Sequence, residues 1–153
     1  MIPDLIKLSG APWKVLPPGV HHASLSEVRD FFATNPHRRK LFDGFVCAAK
    51  ALSKGNVQSI YLDGSFVTEK PMPSDYDGCW DPAGVDPLLL DPVLLNFDNG
   101  RANQKAKYEG ELFPSIAVAV IATGQLFEEF FQIEKFTGKK KGIILIDLTR
   151  ESF

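Results

Sequence analysis

Two carboxylates placed two residues apart, Asp75 and Asp77, are the residues of this sequence best suited to chemistry. They open an apolar run that ends at Trp80, and an earlier apolar run stops at Gly64-Ser65. In a β-strand, Asp75 and Asp77 would share one face, with Cα atoms about 6.5–7 Å apart. Carboxylates suit Mg²⁺, and a Gly-Ser turn can offer backbone N–H groups to an anion. The pattern therefore predicts a site for magnesium and phosphate.

The spacing of these two groups resembles the signature of the nucleotidyltransferase superfamily, whose fold is also called polymerase-beta-like. Nine residues separate Gly64-Ser65 from Asp75-Tyr76-Asp77, and the segment Leu62–Thr68 is similar to a group of short bacterial stand-alone proteins with this fold. The resemblance implies a mixed β-sheet backed by helices. It also implies that Asp75 and Asp77 hold magnesium ions against a nucleoside triphosphate, whose phosphates are gripped by the turn at Gly64 and Ser65.

Activity in that superfamily usually requires a third carboxylate on a neighbouring strand. Glu111 lies where this strand is expected, within Tyr108–Phe113. Glu109 shares its face by the two-residue period of a strand and is one alternative. Asp147, inside the last apolar run, is another. A solvated glutamate at the edge of the sheet is the interpretation without chemistry.

Three basic residues, Arg101, Lys105 and Lys107, precede the expected third strand. They could bind triphosphate oxygens, because Arg makes bidentate contacts with phosphate and Lys supplies a point charge. Exposed basic residues on a loop are the simpler interpretation. The run Lys139–Lys141 is typical of a solvated turn, and the basic start of a helix at His37–Lys40 is weak evidence for a partner surface.

Several stretches carry helix signals. Ser24–Glu27 has capping-box spacing, and Asn35-Pro36 starts a longer helix that Gly55 closes. Thr123–Phe136 places aromatic side chains near helical spacing and predicts a further helix. The Asp-Pro pairs at 86–87 and 91–92 favour a broken or restarted helix.

The order of helices and strands predicts an α+β fold, with a mixed β-sheet backed by helices. Residues 115–122 fit either a strand or a buried helix. Residues 1–23 are rich in Pro and Gly and predict an extended N-terminal arm, followed by a single nucleotidyltransferase-like domain over residues 24–153. The expected strands are Gln58–Asp63, Asp75–Trp80, Lys105–Phe113 and Ile143–Leu148.

Composition limits the classes of function. The chain has 153 residues and a net charge of −2, which argues against a nucleic-acid-binding module. The sequence has no stretch of transmembrane length and no signal-peptide pattern near its start, so a cytoplasmic protein is expected. Cys47 and Cys79 have no metal-ligand spacing and are interpreted as buried thiols in a reducing compartment.

The resemblance implies a minimal magnesium-dependent enzyme that moves a nucleoside monophosphate from a nucleoside triphosphate to a protein or RNA acceptor. A chain this short has no separate acceptor-binding domain, so a partner protein or a homo-oligomer is expected, and no membrane. Short proteins of this fold often form one half of a bacterial toxin–antitoxin or phage-defence pair. The alternative is the same fold with a degenerate site, which binds a partner protein and neutralises or scaffolds it.

Overall fold

The chain contains four α-helices and seven strands, and the computed structural model describes all of it, residues 1–153. The α-helices are α1 (Leu25–Phe32), α2 (Pro36–Lys54), α3 (Asp98–Tyr108) and α4 (Phe127–Phe130). The strands are β1 (Gly19–His22), β2 (Ser59–Asp63), β3 (Tyr76–Trp80), β4 (Gly110–Pro114), β5 (Val118–Val120), β6 (Gln125–Leu126) and β7 (Gly142–Asp147).

Five of the strands form one mixed sheet in the order β1-β7-β2-β3-β4, and β5 pairs with β6 in a separate hairpin. The pairs β1–β7 and β3–β4 are parallel, whereas β7–β2 and β2–β3 are antiparallel. The α+β class and the mixed sheet with helices are therefore confirmed.

The first two helices begin where their local signals predict. The Ser24 hydroxyl accepts a hydrogen bond from the Glu27 amide at 3.2 Å, and the Glu27 carboxylate accepts one from the Ser24 amide at 2.8 Å. At the start of α2, the Asn35 side chain accepts from the Arg38 amide at 2.8 Å, and Gly55 follows the last helical residue. Caps of this kind satisfy backbone groups that a helix leaves unpaired, and they depend only on neighbouring residues.

The two faces of the sheet differ in what covers them. Ile60 and Leu62 of β2 pack in the main core with α1 and α2, as does Tyr76 of β3. The alternate residues face the other way, because successive strand side chains point to opposite faces. On that second face a smaller apolar cluster, which includes Cys79 and Phe131, covers part of the sheet. The acidic residues Asp63 and Asp77 share this second face.

The strand expected over Lys105–Phe113 is wrong in its first half, because Lys105–Tyr108 belongs to α3. The alternation of lysine with Ala106 and Tyr108 suggested a strand. The burial pattern is helical instead: Gln104 and Tyr108, one turn apart, are both buried. The Gln104 side chain accepts a hydrogen bond from the Leu112 amide at 2.8 Å and so ties α3 to β4.

The helix expected over Thr123–Phe136 is also wrong over most of its length, since α4 has only four residues. The preceding residues form the β5–β6 hairpin, which answers the open question over 115–122 in favour of a strand. Phe127 stacks on Phe113 with ring centroids 4.0 Å apart, so the helical spacing of the phenylalanines reflects an aromatic cluster. After α4 the chain turns, and the Glu134 carboxylate accepts hydrogen bonds from the amides of Phe136 and Thr137.

The two Asp-Pro pairs end in turns and not in an α-helix. Asp86 and Asp91 do accept capping hydrogen bonds, from the amides of Leu88 at 3.0 Å and Val93 at 3.1 Å. Only a 3-10 helix, Pro92–Leu95, follows the second pair. Because each aspartate stabilises its own short turn, the caps were predicted correctly and the restarted helix was not.

The N-terminal segment is more closely integrated than an extended arm over residues 1–23. Its last part is β1, which extends the main sheet beside β7. Val15 bridges to Ile6 and to Thr68, and Leu16 is fully buried in the core. The segment therefore packs beside the residues that follow the Gly-Ser turn.

The structure also bears on the predictions for the two cysteines and for membrane-spanning segments. Cys79 is buried as expected, but Cys47 is exposed on α2. None of the helices has the length and apolar character needed to cross a lipid bilayer.

Candidate functional site

Four acidic residues share the sheet face that α1 and α2 leave uncovered. Asp77 lies in the middle, in register with Asp63 of β2 on one side and with Glu111 of β4 on the other. Asp75 precedes Asp77 by two residues and therefore faces the same way. The fold thus brings Asp75, Asp77 and Glu111 together, as the sequence predicted, and adds Asp63.

The Gly-Ser turn packs directly against the middle carboxylate. Gly64 follows β2 with a φ of 77°, a left-handed conformation that glycine adopts without strain. A Cβ atom at this position would overlap Oδ2 of Asp77. Glycine is therefore required here for two reasons, the backbone conformation and the close approach of the turn to Asp77.

A cavity of about 510 Å³ opens beside the turn and the carboxylates. Gly64, Ser65, Asp75 and Asp77 all line it. Its other walls come from the N-terminal segment and from α4 and the chain after it, which contribute the aromatic residues Trp13, Phe130, Phe131 and Phe136. The volume lies within the range of about 300–1,000 Å³ that is common for small-molecule sites.

The loop that joins the Gly-Ser turn to β3 is held by the start of α2. The guanidinium of Arg38 donates to the carbonyls of Phe66 at 2.7 Å, Thr68 at 2.8 Å and Lys70 at 3.1 Å. His37 donates to the carbonyl of Pro73 in the same loop. This explains the basic helix start: Arg38 is buried and clamps the loop, and so does not form a partner surface.

Two of the three predicted basic residues reach the carboxylates. Arg101 and Lys105 both bind Oε1 of Glu111, at 2.8 and 3.0 Å. The third, Lys107, points elsewhere and pairs with Asp91 at 2.6 Å. Lys107 therefore lies outside the site, because two residues along a helix with 3.6 residues per turn place Lys107 on the side of α3 opposite Lys105.

Burial and like charge set the protonation of the acidic face. Burial raises the pKa of Asp77 well above its usual value, and a hydrogen bond to Glu111 and the charge of Asp75 raise it further. Burial also raises the pKa of Asp75, with the Glu111 carboxylate adding to the effect. For Glu111, burial is outweighed by hydrogen bonds from Asp77, Lys105 and Arg101, which lower its pKa. Of these two carboxyl groups, Asp77 is therefore the one whose protonation the folded structure favours.

Two residues of this site were missed by sequence reasoning. Asp63 has no exposed surface, and neither of its carboxylate oxygens has a hydrogen-bond partner. Lys141, which was expected in a solvated turn, is only 8% exposed and lines the cavity. The signal for Lys141 was its position directly before the buried strand β7, which lies beside β2 in the sheet.

The two alternatives for the third carboxylate lie away from the site. Glu109 ends α3 in a left-handed conformation and faces Lys40 at 3.8 Å. Asp147 ends β7 opposite Ser59, at the far end of the sheet from Asp63, and its carboxylate accepts from the Thr149 amide at 3.0 Å. Among the three candidates, Glu111 is the one beside Asp77.

The donor set can be compared with what magnesium requires. No three acidic, histidine or cysteine side chains converge closely enough in this structure to hold a metal ion by themselves. Mg²⁺ usually keeps several waters and takes one or two carboxylates together with substrate phosphates. Asp75 and Asp77 meet that requirement, because both line the cavity. The residues therefore fit a magnesium ion that binds with a nucleotide, and not a preformed cage of three carboxylates.

Replacing Asp63 with asparagine should raise the stability of the metal-free protein at neutral pH, because the amide cannot carry the buried negative charge, for which the fold supplies no hydrogen-bond donor. Burial and the charge of Asp77 raise the pKa of Asp63 in the folded protein, although Lys141 lowers it. Such a carboxyl group contributes stability at low pH that is lost as the pH rises from the unfolded pKa through the folded one. The gain should therefore grow with pH in urea unfolding at pH 4–8, and a gain that shrinks with pH would contradict this account.

The fold and the site define an α+β protein with a carboxylate-lined cavity beside one end of a mixed sheet. A family model described as "Family of unknown function (DUF6932)" matches residues 11–147. The chain belongs to this family, and the match includes the turn, all four carboxylates and Lys141. No curated protein and no solved structure matches the chain significantly.

Proposed function

We propose that this protein is a magnesium-dependent nucleotidyltransferase of the polymerase-beta-like superfamily. It moves a nucleoside monophosphate from a nucleoside triphosphate to a hydroxyl group of a protein or RNA acceptor. The observation that carries the proposal is the contact between the two halves of the signature: Gly64 leaves no room for a side chain against Asp77. The antiparallel pairing of Asp63 with Asp77 places the turn beside the Asp-x-Asp strand, where backbone amides and carboxylates can act on one ligand.

Each group has a role that follows from its position. Asp75 and Asp77 supply carboxylate oxygens to Mg²⁺, which stabilises charge on the attacking and leaving oxygens when bound. The Gly64-Ser65 turn lies beside these carboxylates in the lining of the cavity and would offer its backbone N–H groups to the phosphates. Arg101 and Lys105 can release the Glu111 carboxylate and bind triphosphate oxygens instead, because both side chains are partly exposed, at 34% and 44%.

The shape of the cavity supports a nucleotide as the ligand. Its lining combines the turn and the carboxylates with the aromatic side chains of Trp13, Phe130 and Phe136. Aromatic side chains bind nucleobases by stacking, which contributes about 1–3 kcal/mol for each base. A triphosphate and a base would together use both kinds of lining.

The first test is nucleotide binding. A nucleoside triphosphate with Mg²⁺ should raise the melting temperature, with a stabilisation of ~2.7 kcal/mol when the ligand is a hundredfold above its Kd. Thermal unfolding with each of the four ribonucleotides, with Mg²⁺ and with EDTA, measures this shift. The Mg²⁺ dependence should be lost in Asp75→Asn. If no nucleotide at millimolar concentration shifts the transition, the catalytic proposal is wrong.

A second candidate function is favoured by the contacts of Glu111. Arg101 and Lys105 already neutralise this carboxylate, as they would in a structural ion-pair network. The chain would then be a catalytically degenerate protein of the same fold that binds a partner protein and neutralises or scaffolds it. Under either function, we propose a protein partner or a second copy of the chain, and a role as one half of a toxin–antitoxin or phage-defence pair. A pull-down of the protein encoded by the neighbouring gene tests that role.

A further inference from the structure

The acidic face is flanked by two different kinds of cation. On the β4 side, Arg101 and Lys105 hold Glu111 from a helix, and both are partly exposed. On the β2 side stands Lys141, which is almost completely buried. Arg101 and Lys105 can move away from Glu111 into solvent with little rearrangement, whereas Lys141 is enclosed by the surrounding protein.

The backbone holds Lys141 in place from both directions. Its amide donates to the carbonyl of Gln132 at 2.9 Å, and the amide of Gly142 donates to the carbonyl of Leu16 at 2.9 Å. Gly142 then begins β7, where a Cβ atom would overlap the carbonyl of Pro17. The main chain is therefore fixed where Lys141 enters the sheet, and the side chain is buried at the wall of the cavity.

Three carboxylates act on this ammonium: Asp63, Asp77 and Glu134. Burial lowers the pKa of Lys141, and these three negative charges oppose that effect. Lys141 forms no ion pair or hydrogen bond through its ammonium, unlike Arg101 and Lys105. The positive charge of Lys141, at the wall of the cavity, thus interacts electrostatically with several carboxylates and forms an ion pair with none of them.

We propose that the ammonium of Lys141 stands where a second divalent ion would otherwise bind beside Asp77, so that the site binds a single divalent ion, held by Asp75 and Asp77. A fixed positive charge beside Asp63 and Asp77 repels a divalent ion from that side. It also provides a permanent contact for an anionic oxygen of the ligand. This inference rests on the proposed function, because it assigns the second cation of the same site.

The test that does not depend on nucleotide uses thermal unfolding of Lys141→Met in EDTA and in MnCl₂. Removing the ammonium leaves three carboxylates without their cation, so the variant should melt below the wild type in EDTA. Mn²⁺ should then occupy the vacated side and raise the transition by about 5–10 °C at a concentration a hundredfold above its Kd. The wild type should respond much less. The same response to Mn²⁺ in both proteins would overturn the proposal.

Lys140→Met is the matched control, because Lys140 is the preceding lysine and is exposed. It should unfold like the wild type in both EDTA and MnCl₂. Lys141→Arg, which keeps the charge, should show no rescue by Mn²⁺. A rescue in Lys140→Met as large as in Lys141→Met would also overturn the proposal, because it would show a general effect of lysine removal.

A second measurement uses wild-type protein and so does not depend on whether the variant folds. With one non-hydrolysable nucleoside triphosphate analogue bound per chain, electron paramagnetic resonance should count one bound Mn²⁺. Two bound ions would overturn the single-ion site. Failure to bind the analogue at all would instead contradict the proposed function, and the response of Lys141→Met to Mn²⁺ would still decide the role of Lys141.

Discussion

Asp77→Asn is expected to lower the rate of nucleotide transfer by about a thousandfold or more, which corresponds to ~4 kcal/mol of lost transition-state stabilisation. Asp77 is the central carboxylate of the acidic face, with Asp63, Asp75 and Glu111 around it. The substitution keeps almost the same volume and removes one negative charge from a cluster of like charges. The metal-free variant should therefore be as stable as the parent, or slightly more stable.

Transfer of labelled nucleotide in vitro and urea unfolding in EDTA measure the two effects on the same preparations. Asp43→Asn is the matched control, because Asp43 is exposed on α2 and is not among the residues that line the cavity. The degenerate-site alternative predicts a different result in cells. If Asp75→Asn and Asp77→Asn are well folded and as active in cells as the parent, the catalytic interpretation is wrong, and the fold assignment is unaffected.

The parts of the fold that the sequence predicts are those set by neighbouring residues. The helices after Ser24 and Asn35 begin at caps whose partners lie three residues away. The pairing of Asp75 with Asp77 needs only the two-residue period of a strand. Glu111 could be placed beside them because a strand was expected at that point, although its start was set too early.

The parts that the sequence does not predict depend on contacts far along the chain. Asp63 ends a strand like many solvated aspartates, and it is buried only because β3 and β7 flank β2. Lys141 stands in a basic run whose other members are exposed, and the only sign of its burial was its position directly before the apolar run of β7. Lys107 was predicted in the site but lies outside it. In the expected strand, Lys105 and Lys107 would have shared one face, whereas in α3 they point in different directions.

Arg38→Met should destabilise the protein by about 3–5 kcal/mol, because each buried carbonyl left without a donor costs about 1–3 kcal/mol. The Arg38 guanidinium is 3% exposed and donates to the carbonyls of Phe32, Phe66, Thr68 and Lys70. No carboxylate pairs with it, so its partners are these carbonyls and the ring of Phe66, whose centroid is 5.3 Å from the guanidinium carbon. Such a loss is at the upper end for a single substitution, and urea unfolding would measure it.

The same substitution should impair the site in whatever fraction remains folded, because the clamped loop joins Gly64-Ser65 to Asp75 and Asp77. Arg38→Lys keeps the charge but loses the planar fork that serves several carbonyls at once, so an intermediate loss of stability is expected. Arg39→Met is the matched control, since Arg39 is the adjacent arginine and is exposed. Hydrogen exchange should show loss of protection in residues 66–70 of Arg38→Met and not of Arg39→Met. His37 and Asn35 also hold this loop, by hydrogen bonds to the carbonyls of Pro73 and Pro71. Unchanged protection in Arg38→Met would mean that these two residues hold the loop without the arginine.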